Sequence, residues 1–346
     1  MQFTYQRQDL NTQITYGELL KKSIEQLLTT TDRHVIVLTN QRYYDQFFQK
    51  IQQAFCHHVV DWYIARNQLY CNHLEEMTEF LQFLGKFSPT EKYVFVAFGN
   101  EGVVQLTGFL QKTVLLSGEF WVIPTSLRSF FSALSENRTI CNKPYKDLLQ
   151  QRNLPSYIFL DQSIVFKQSD GKLIDLQMFI QAALVGDYSF LQRLFKNFPT
   201  KKQLQTTSFI AFIKEVTQLY ESYALSITNY GSIFEKAFYL TENGHVLSSY
   251  MKRFLGMLLQ LFWNLELNDS SFQIDNFMSW LKRLGYPIEF PKQLLIGEYL
   301  ENVLRLQGEN KLVVLSKIGK IGKSQSADEK TMIKAIDHYQ KIISEI

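Results

Sequence analysis

Cysteine is scarce: Cys56, Cys71 and Cys141 are the only three in 346 residues, and no pair has two-residue spacing. Neither a disulfide framework nor a cysteine-based metal site is implied, so a reducing, cytoplasmic setting is expected. Export is not signalled either, because segment 1–11 is polar and lacks a basic-then-apolar order. The longest apolar run, 254–265, is too short to span a bilayer and carries Gln260 and Asn264, so it reads as a buried helix. Like charges form no block. A net charge of +3 spread along the chain argues against nucleic acid or an anionic membrane as a partner. The short motifs that carry catalysis by themselves are also missing: there is no GxSxG, P-loop or HExxH, and no Cys/His pairing in a recognisable context. His57-His58, at an expected strand start, reads as structural rather than metal-binding.

What is present describes a folded protein. With 28 Phe, 18 Tyr and 46% hydrophobic residues, the chain can bury one large core or two medium ones. The first part alternates strand and helix signals. Helical spacing over 17–28, 43–55, 74–84 and 102–115 is interleaved with β-branched or aromatic runs at 34–39, 58–64, 92–98 and 156–160. That order predicts an open, mostly parallel sheet covered on both faces, with ligands beyond the carboxyl ends of its strands. From about residue 173 helical periodicity takes over, at 173–186, 188–195, 209–227, 232–240, 246–267, 271–284, 294–306 and 327–343, with a short strand expected at 311–316. The expected organisation is a Rossmann-like α/β domain over 1–161 and an all-α domain over 162–346.

The stretch 119–142, EFWVIPTSLRSFFSALSENRTICN, carries the most information. Phe120 to Ile123 form a buried strand that Pro124 ends by removing a backbone donor. Thr125 and Ser126 then admit two readings. Hydroxyls at the end of such a strand suit the rim of a ligand crevice, followed by a polar loop, and can donate to a phosphate or ribose. Alternatively they mark a strand-to-helix transition with a Ser/Thr cap, which spacing alone favours.

The same stretch resembles the Ile-Pro-Thr-Thr/Ser-Leu…Lys-Thr…Asn signature of the 3-dehydroquinate synthases, sugar-phosphate cyclases that use NAD and zinc. Thr125, Ser126, Leu127, Thr139 and Asn142 fall in register, and Arg138 stands where the family has a lysine. Ser132 replaces the family's aspartate, and Glu136 and Asn137 replace its paired glycines. The order of elements, including LGYP at 284–287, is similar over nearly the whole chain. The resemblance implies a dehydroquinate synthase-like fold shared with the iron-dependent alcohol dehydrogenases, an active site in the interdomain cleft, and a homodimer.

Set against that family, the chemistry-bearing positions are degenerate. The zinc ligands Glu, His and His correspond to Met178, Ser232 and Asn243, none of them anionic or basic. His245 is displaced by two residues from the ligand position and reads as a solvated or hydrogen-bonded side chain. The family's Gly-Gly-Gly-x-x-Gly-Asp phosphate loop is here Gly99-Asn100-Glu101-Gly102-Val103-Val104-Gln105, with Glu101 expected to repel a pyrophosphate. Asn40 stands at the ribose-side position, while Asn67, Gln68 and Tyr70 replace a Glu-Lys pair and a second lysine. Gln181 replaces the active-site lysine, and Asn302-Val303-Leu304 a late Asp-Lys-Lys. Arg138, Asn142 and Lys146 remain as polar cleft residues. Arg138 is able to grip a phosphate or carboxylate, or else is a surface arginine on a loop.

The expectation is a pseudoenzyme on a dehydroquinate synthase-like scaffold, without zinc or NAD, acting by interaction or by binding a small anion in the cleft. The alternative is an active 3-dehydroquinate synthase, or a related cyclase, dependent on NAD and metal.

Overall fold

The computed structural model describes residues 2–17, 19–28, 33–142, 146–165, 171–268, 272–308 and 311–346. The chain divides into two compact units, Met1–Gly171 and Lys172–Ile346.

The first unit is built on β1 Gln2–Arg7, β2 Leu10–Tyr16, α1 Leu20–Leu27, β3 Arg33–Asn40, α2 Gln41–Ala54, β4 Val60–Ala65, α3 Leu74–Leu84, β5 Lys92–Gly99 and α4 Glu101–Thr113. It continues with β6 Gly118–Pro124, α5 Leu127–Leu134, β7 Asn137–Asn142, β8 Lys146–Arg152, β9 Tyr157–Leu160 and α6 Gln162–Val165. Seven strands form one sheet in the order β1-β2-β9-β6-β5-β3-β4. Apart from the antiparallel β1–β2 pair, its neighbours run parallel. The strands β3, β5 and β6 read as near-continuous apolar runs because helices cover both faces. Val35, Val37, Val94, Val96, Phe98, Trp121 and Ile123 pack against Leu20 and Ile24 of α1 and Tyr43, Phe47 and Ile51 of α2. Alternation sends Ile36, Leu38, Phe95, Ala97 and Val122 to the opposite face, where α4 packs on β5, and they are just as buried.

Three features depart from the sequence reading. The polar N-terminus is a β-hairpin, Gln2 opposite Thr15 through Arg7 opposite Leu10, with Tyr5, Thr12 and Ile14 buried between polar neighbours. No polar loop follows Pro124. Ser126 accepts from the Ser129 amide in a reciprocal capping box and starts α5, so the cap reading is the one realised. After α5 the chain returns as the antiparallel β7–β8 hairpin. Ile164 of α6 joins the core beneath the sheet, which carries this unit beyond its last strand.

The second unit contains α7 Gly171–Gly186, α8 Tyr188–Asn197, α9 Lys201–Thr206, α10 Ile210–Asn229, α11 Ser232–Leu240, α12 Ser249–Leu267, α13 Ile274–Leu284, α14 Ile296–Gln307 and α15 Glu329–Glu345. The helix expected over 246–267 is divided: a 3-10 turn, Gly244–Val246, precedes α12, which Ser248 caps. The start expected at 271 lies outside the described residues. The expected short strand is β10 Leu315–Lys317, paired with β11 Lys320–Ile321. Gln260 and Asn264 in the apolar helix have structural partners. Gln260 accepts from the Gly231 amide and donates to the Val313 carbonyl at 2.7 Å, and Asn264 accepts from the Leu315 amide at 2.6 Å. Gly256 lets α11 close on α12, since a Cβ there would lie 2.6 Å from the Glu235 amide nitrogen. No helix among the described residues is long and apolar enough to cross a membrane.

Candidate functional site

The turn from β5 into α4 occupies the position where an α/β sheet receives a phosphate, beyond a strand's carboxyl end and at a helix N-terminus. Here the chain itself occupies it. Asn100 caps α4 by accepting from the Val103 amide at 3.2 Å, and its Nδ2 donates to the Gln68 carbonyl at 2.8 Å. Its own amide donates to Asn40 Oδ1 at 3.3 Å, while Asn40 Nδ2 donates to the Arg66 carbonyl at 2.8 Å. The Gly102 amide donates to the Leu69 carbonyl at 3.0 Å. Glycine is required at 102 because a Cβ would lie 2.5 Å from the Cys71 nitrogen. Thr125, fully buried, donates to the Gly99 carbonyl at 2.8 Å. Asn40, Gly99, Gly102, Thr125 and Ser126 thus fall in one neighbourhood, and their polar atoms bond to protein.

Segment 66–73 is the strap that makes this closure. Asn67 accepts from the Arg42 amide at 3.2 Å, Asn72 donates to the Thr139 carbonyl at 2.8 Å, and the Cys141 amide donates to the Asn72 carbonyl at 2.9 Å. Its end is fixed as the cap of α3, where His73 accepts from the Glu76 amide. Its start is held by Arg66, whose guanidinium reaches Glu75 at 3.3 Å and Glu79 at 2.5 Å. The Cys71 thiol is completely buried, and that burial raises its pKa, making it an inert core group.

Glu101 is not the bare repulsive charge that the sequence suggested. Arg128 on α5 meets it with two nitrogens, Nε at 3.2 Å and a terminal nitrogen at 2.9 Å, and both side chains are buried. Paired charges cancel at the turn, leaving little net field to attract or repel an anion. The partners lie 27 residues apart, and no local sequence signal links them.

Arg138 is buried, not a surface residue on a loop. Lying on β7, it donates to the Ser132 and Ala133 carbonyls at 2.9 Å each, and Tyr5 donates to the Leu134 carbonyl at 2.6 Å. The guanidinium therefore caps the C-terminus of α5, where a cation is favourable. Room for it comes from Gly108, at which a Cβ would lie 2.9 Å from Arg138 Cδ. Burial lowers its pKa to about 9, which keeps it cationic at neutral pH. Asn142 is exposed at the end of β7, opposite Lys146, which opens β8. The Lys146 side chain lies outside the described residues.

In the second unit the positions that the resemblance assigns to metal ligands offer poor donors. Met178 on α7 is buried. Ser232 Oγ donates to the Asn229 carbonyl at 2.8 Å, and Asn243, left-handed at φ 59°, donates to the Gln293 carbonyl at 3.4 Å. A thioether, a hydroxyl and an amide already bonded to backbone do not fit a divalent cation. Nor does His245 supply more than one exposed imidazole on the adjacent turn. At the position the resemblance assigns to a lysine, Gln181 donates to the Ile227 and Tyr230 carbonyls, and its buried Oε1 has no hydrogen-bond partner among the described residues. Asn302 donates to Thr241 at 3.2 Å. One signal was unreadable in sequence: Asp175 on α7 is buried, which raises its carboxyl pKa to about 8.

No protein-family model matches the chain. It is 22% identical over 311 residues to the 3-dehydroquinate synthase of Listeria welshimeri, covering 83% of each protein. To the 3-dehydroquinate synthase of Staphylococcus haemolyticus it is 23% identical over 288 residues, 78% of this chain and 79% of that one. Among solved structures it is similar to 2-deoxy-scyllo-inosose synthase complexed with carbaglucose-6-phosphate, NAD+ and Co2+. The TM-score there is 0.78 at 15% identity, over 98% of this chain and 99% of that one. The 2-epi-5-epi-valiolone synthase of Streptomyces hygroscopicus, with NAD+ and Zn2+ bound, gives a TM-score of 0.78 at 11% identity over 97% and 98% of the two chains.

Proposed function

We propose that this chain, a divergent member of the 3-dehydroquinate synthase family, is a pseudoenzyme that keeps the scaffold and acts by binding or interaction rather than by turnover. The observation that carries this reading is the closed turn between β5 and α4. The Gly102 amide is spent on the Leu69 carbonyl and the Val103 amide on Asn100, and a side chain at 100 stands where bare backbone would have to meet a pyrophosphate. The donor set supports it independently. Family chemistry needs a cation to polarise an alcohol and a carbonyl, and Met178, Ser232 and Asn243 bring no anionic or basic group to hold one.

Likeness over most of the length of enzymes, including neighbours solved with NAD+ and metal, is what favours the other reading, an active synthase or related cyclase. The two part on one assay. The purified protein is supplied with the seven-carbon keto-sugar phosphate that the family converts, NAD+ and Zn2+ or Co2+, and dehydroquinate and phosphate are measured. No release of either is the expected result, and turnover above the protein-free control overturns the proposal. A homodimer is proposed on the family likeness alone, and light scattering coupled to size exclusion reads it directly.

A further inference from the structure

We infer that the first unit carries a Zn2+ site of its own, formed by Glu25, Cys56 and His57. Glu25 lies in the last turn of α1, and Cys56 and His57 lie in the turn after α2, which the His58 amide fastens to the Phe55 carbonyl at 2.9 Å. One carboxylate oxygen, one sulfur and one imidazole nitrogen from these exposed side chains lie within 4.8 Å of one another. Among the described residues Glu25 is otherwise engaged by a loose, exposed ion pair with Lys21 at 3.7 Å. Beside the cluster opens a cavity of about 340 Å³ lined by Ile24, Glu25, Leu28, Ala54, His57 and His58. His58 lines it with a buried Nδ1 that has no hydrogen-bond partner among the described residues.

The donor chemistry selects the ion. A thiolate with an imidazole and a carboxylate suits a borderline-soft, tetrahedral cation and disfavours Mg2+ and Ca2+, which prefer all-oxygen shells. Bonds of about 2.0–2.3 Å to Zn2+ set donors roughly 3.3–3.8 Å apart, a spacing that rotation of these exposed side chains can supply. Binding releases the thiol proton, leaves a fourth position for water, and fastens the end of α1 to the end of α2. The ligands come from two separated segments, so cysteine spacing carried no signal of them. The site is in a different unit from Met178, Ser232 and Asn243 and does not depend on how those positions behave.

Co2+ is the probe. The full-length protein, stripped with chelator, is titrated with Co2+ and followed by absorption. One equivalent is expected to produce a thiolate-to-cobalt charge-transfer band with tetrahedral d–d bands, all removed by Zn2+. Cys56→Ser abolishes the charge-transfer band, and His57→Ala weakens binding on the order of 100-fold, each with an unchanged circular dichroism spectrum. Glu25→Gln, which leaves the thiol in place, weakens binding while the charge-transfer band persists at saturation. No charge-transfer band in the wild-type protein, or one that survives in Cys56→Ser, overturns the inference. Zinc that co-purifies with the Cys56→Ser variant locates a metal elsewhere and counts instead against the pseudoenzyme reading.

Discussion

The β5–α4 turn of the first unit and the α7–α12 region of the second treat their buried polar groups in opposite ways. At the turn, Asn40, Asn100, Gly102 and Thr125 bond to the chain, and the buried carboxylate of Glu101 has Arg128. In the helical unit, Gln177 Nε2, Gln181 Oε1 and the hydroxyls of Tyr230 and Tyr250 are buried without hydrogen-bond partners among the described residues, and Asp175 is buried with a raised pKa. An unpartnered buried polar atom costs about 1–3 kcal/mol. A site closed by its own chain gains rigidity, whereas one left with unpartnered groups keeps a reason to hold a polar ligand. Under the proposal made here, the β5–α4 turn has become architecture, while the α7–α12 region keeps buried polar atoms able to hold a polar ligand.

The largest effect is expected from separating the pair that neutralises the turn. Arg128→Ala removes the two-nitrogen contact to the buried Glu101 carboxylate and should lower stability by about 3–5 kcal/mol in urea unfolding. The double variant Glu101→Leu/Arg128→Met should recover most of it. If Arg128→Ala is neutral, the turn is not held by this pair.

Next comes the helical unit. A folded-state pKa of about 8 for Asp175, against an ordinary value of 3.8, means that the native state holds a proton the unfolded chain releases. Stability is therefore fully present below about pH 4 as far as this group is concerned, and falls as pH rises toward 8. Asp175→Asn should flatten that slope and raise stability at pH 8 by on the order of 1–3 kcal/mol. Thermal unfolding from pH 5 to 9 measures it, and an unchanged slope in the variant removes Asp175 from the account.

Smaller effects probe the strap. Gly102→Ala places a Cβ against the Cys71 backbone and should cost roughly 1–3 kcal/mol, with faster amide exchange confined to 66–73. Asn100→Ala removes a helix cap and the tie to Gln68 and should cost about 1 kcal/mol. Protection of 66–73 unchanged in both variants would separate the strap from the turn.

The fold was legible where periodicity speaks. KYVFVAF announces a strand buried on both faces, and most of the helical half shows 3.6-residue spacing, but α7 is buried on all sides and the short α9 gave no signal. The N-terminal hairpin was not, because Thr, Gln and Asn at alternate positions dilute the strand signal that Tyr5 and Ile14 carry. Motif positions located the neighbourhood of Asn40, Gly99, Gly102 and Thr125, yet the strap that closes it is made by backbone carbonyls at 66, 68 and 69, which no side-chain pattern reports. Arg138 misled for a related reason. An arginine is usually exposed, and only the space left by Gly108 and the open end of α5 make its burial favourable.

The most direct measurement is calorimetric titration of the purified full-length chain with NAD+. A turn whose Gly102 and Val103 amides are committed to protein partners predicts no saturable heat at millimolar cofactor. A saturating one-to-one isotherm with micromolar affinity would contradict it and restore the turn as a working cofactor site.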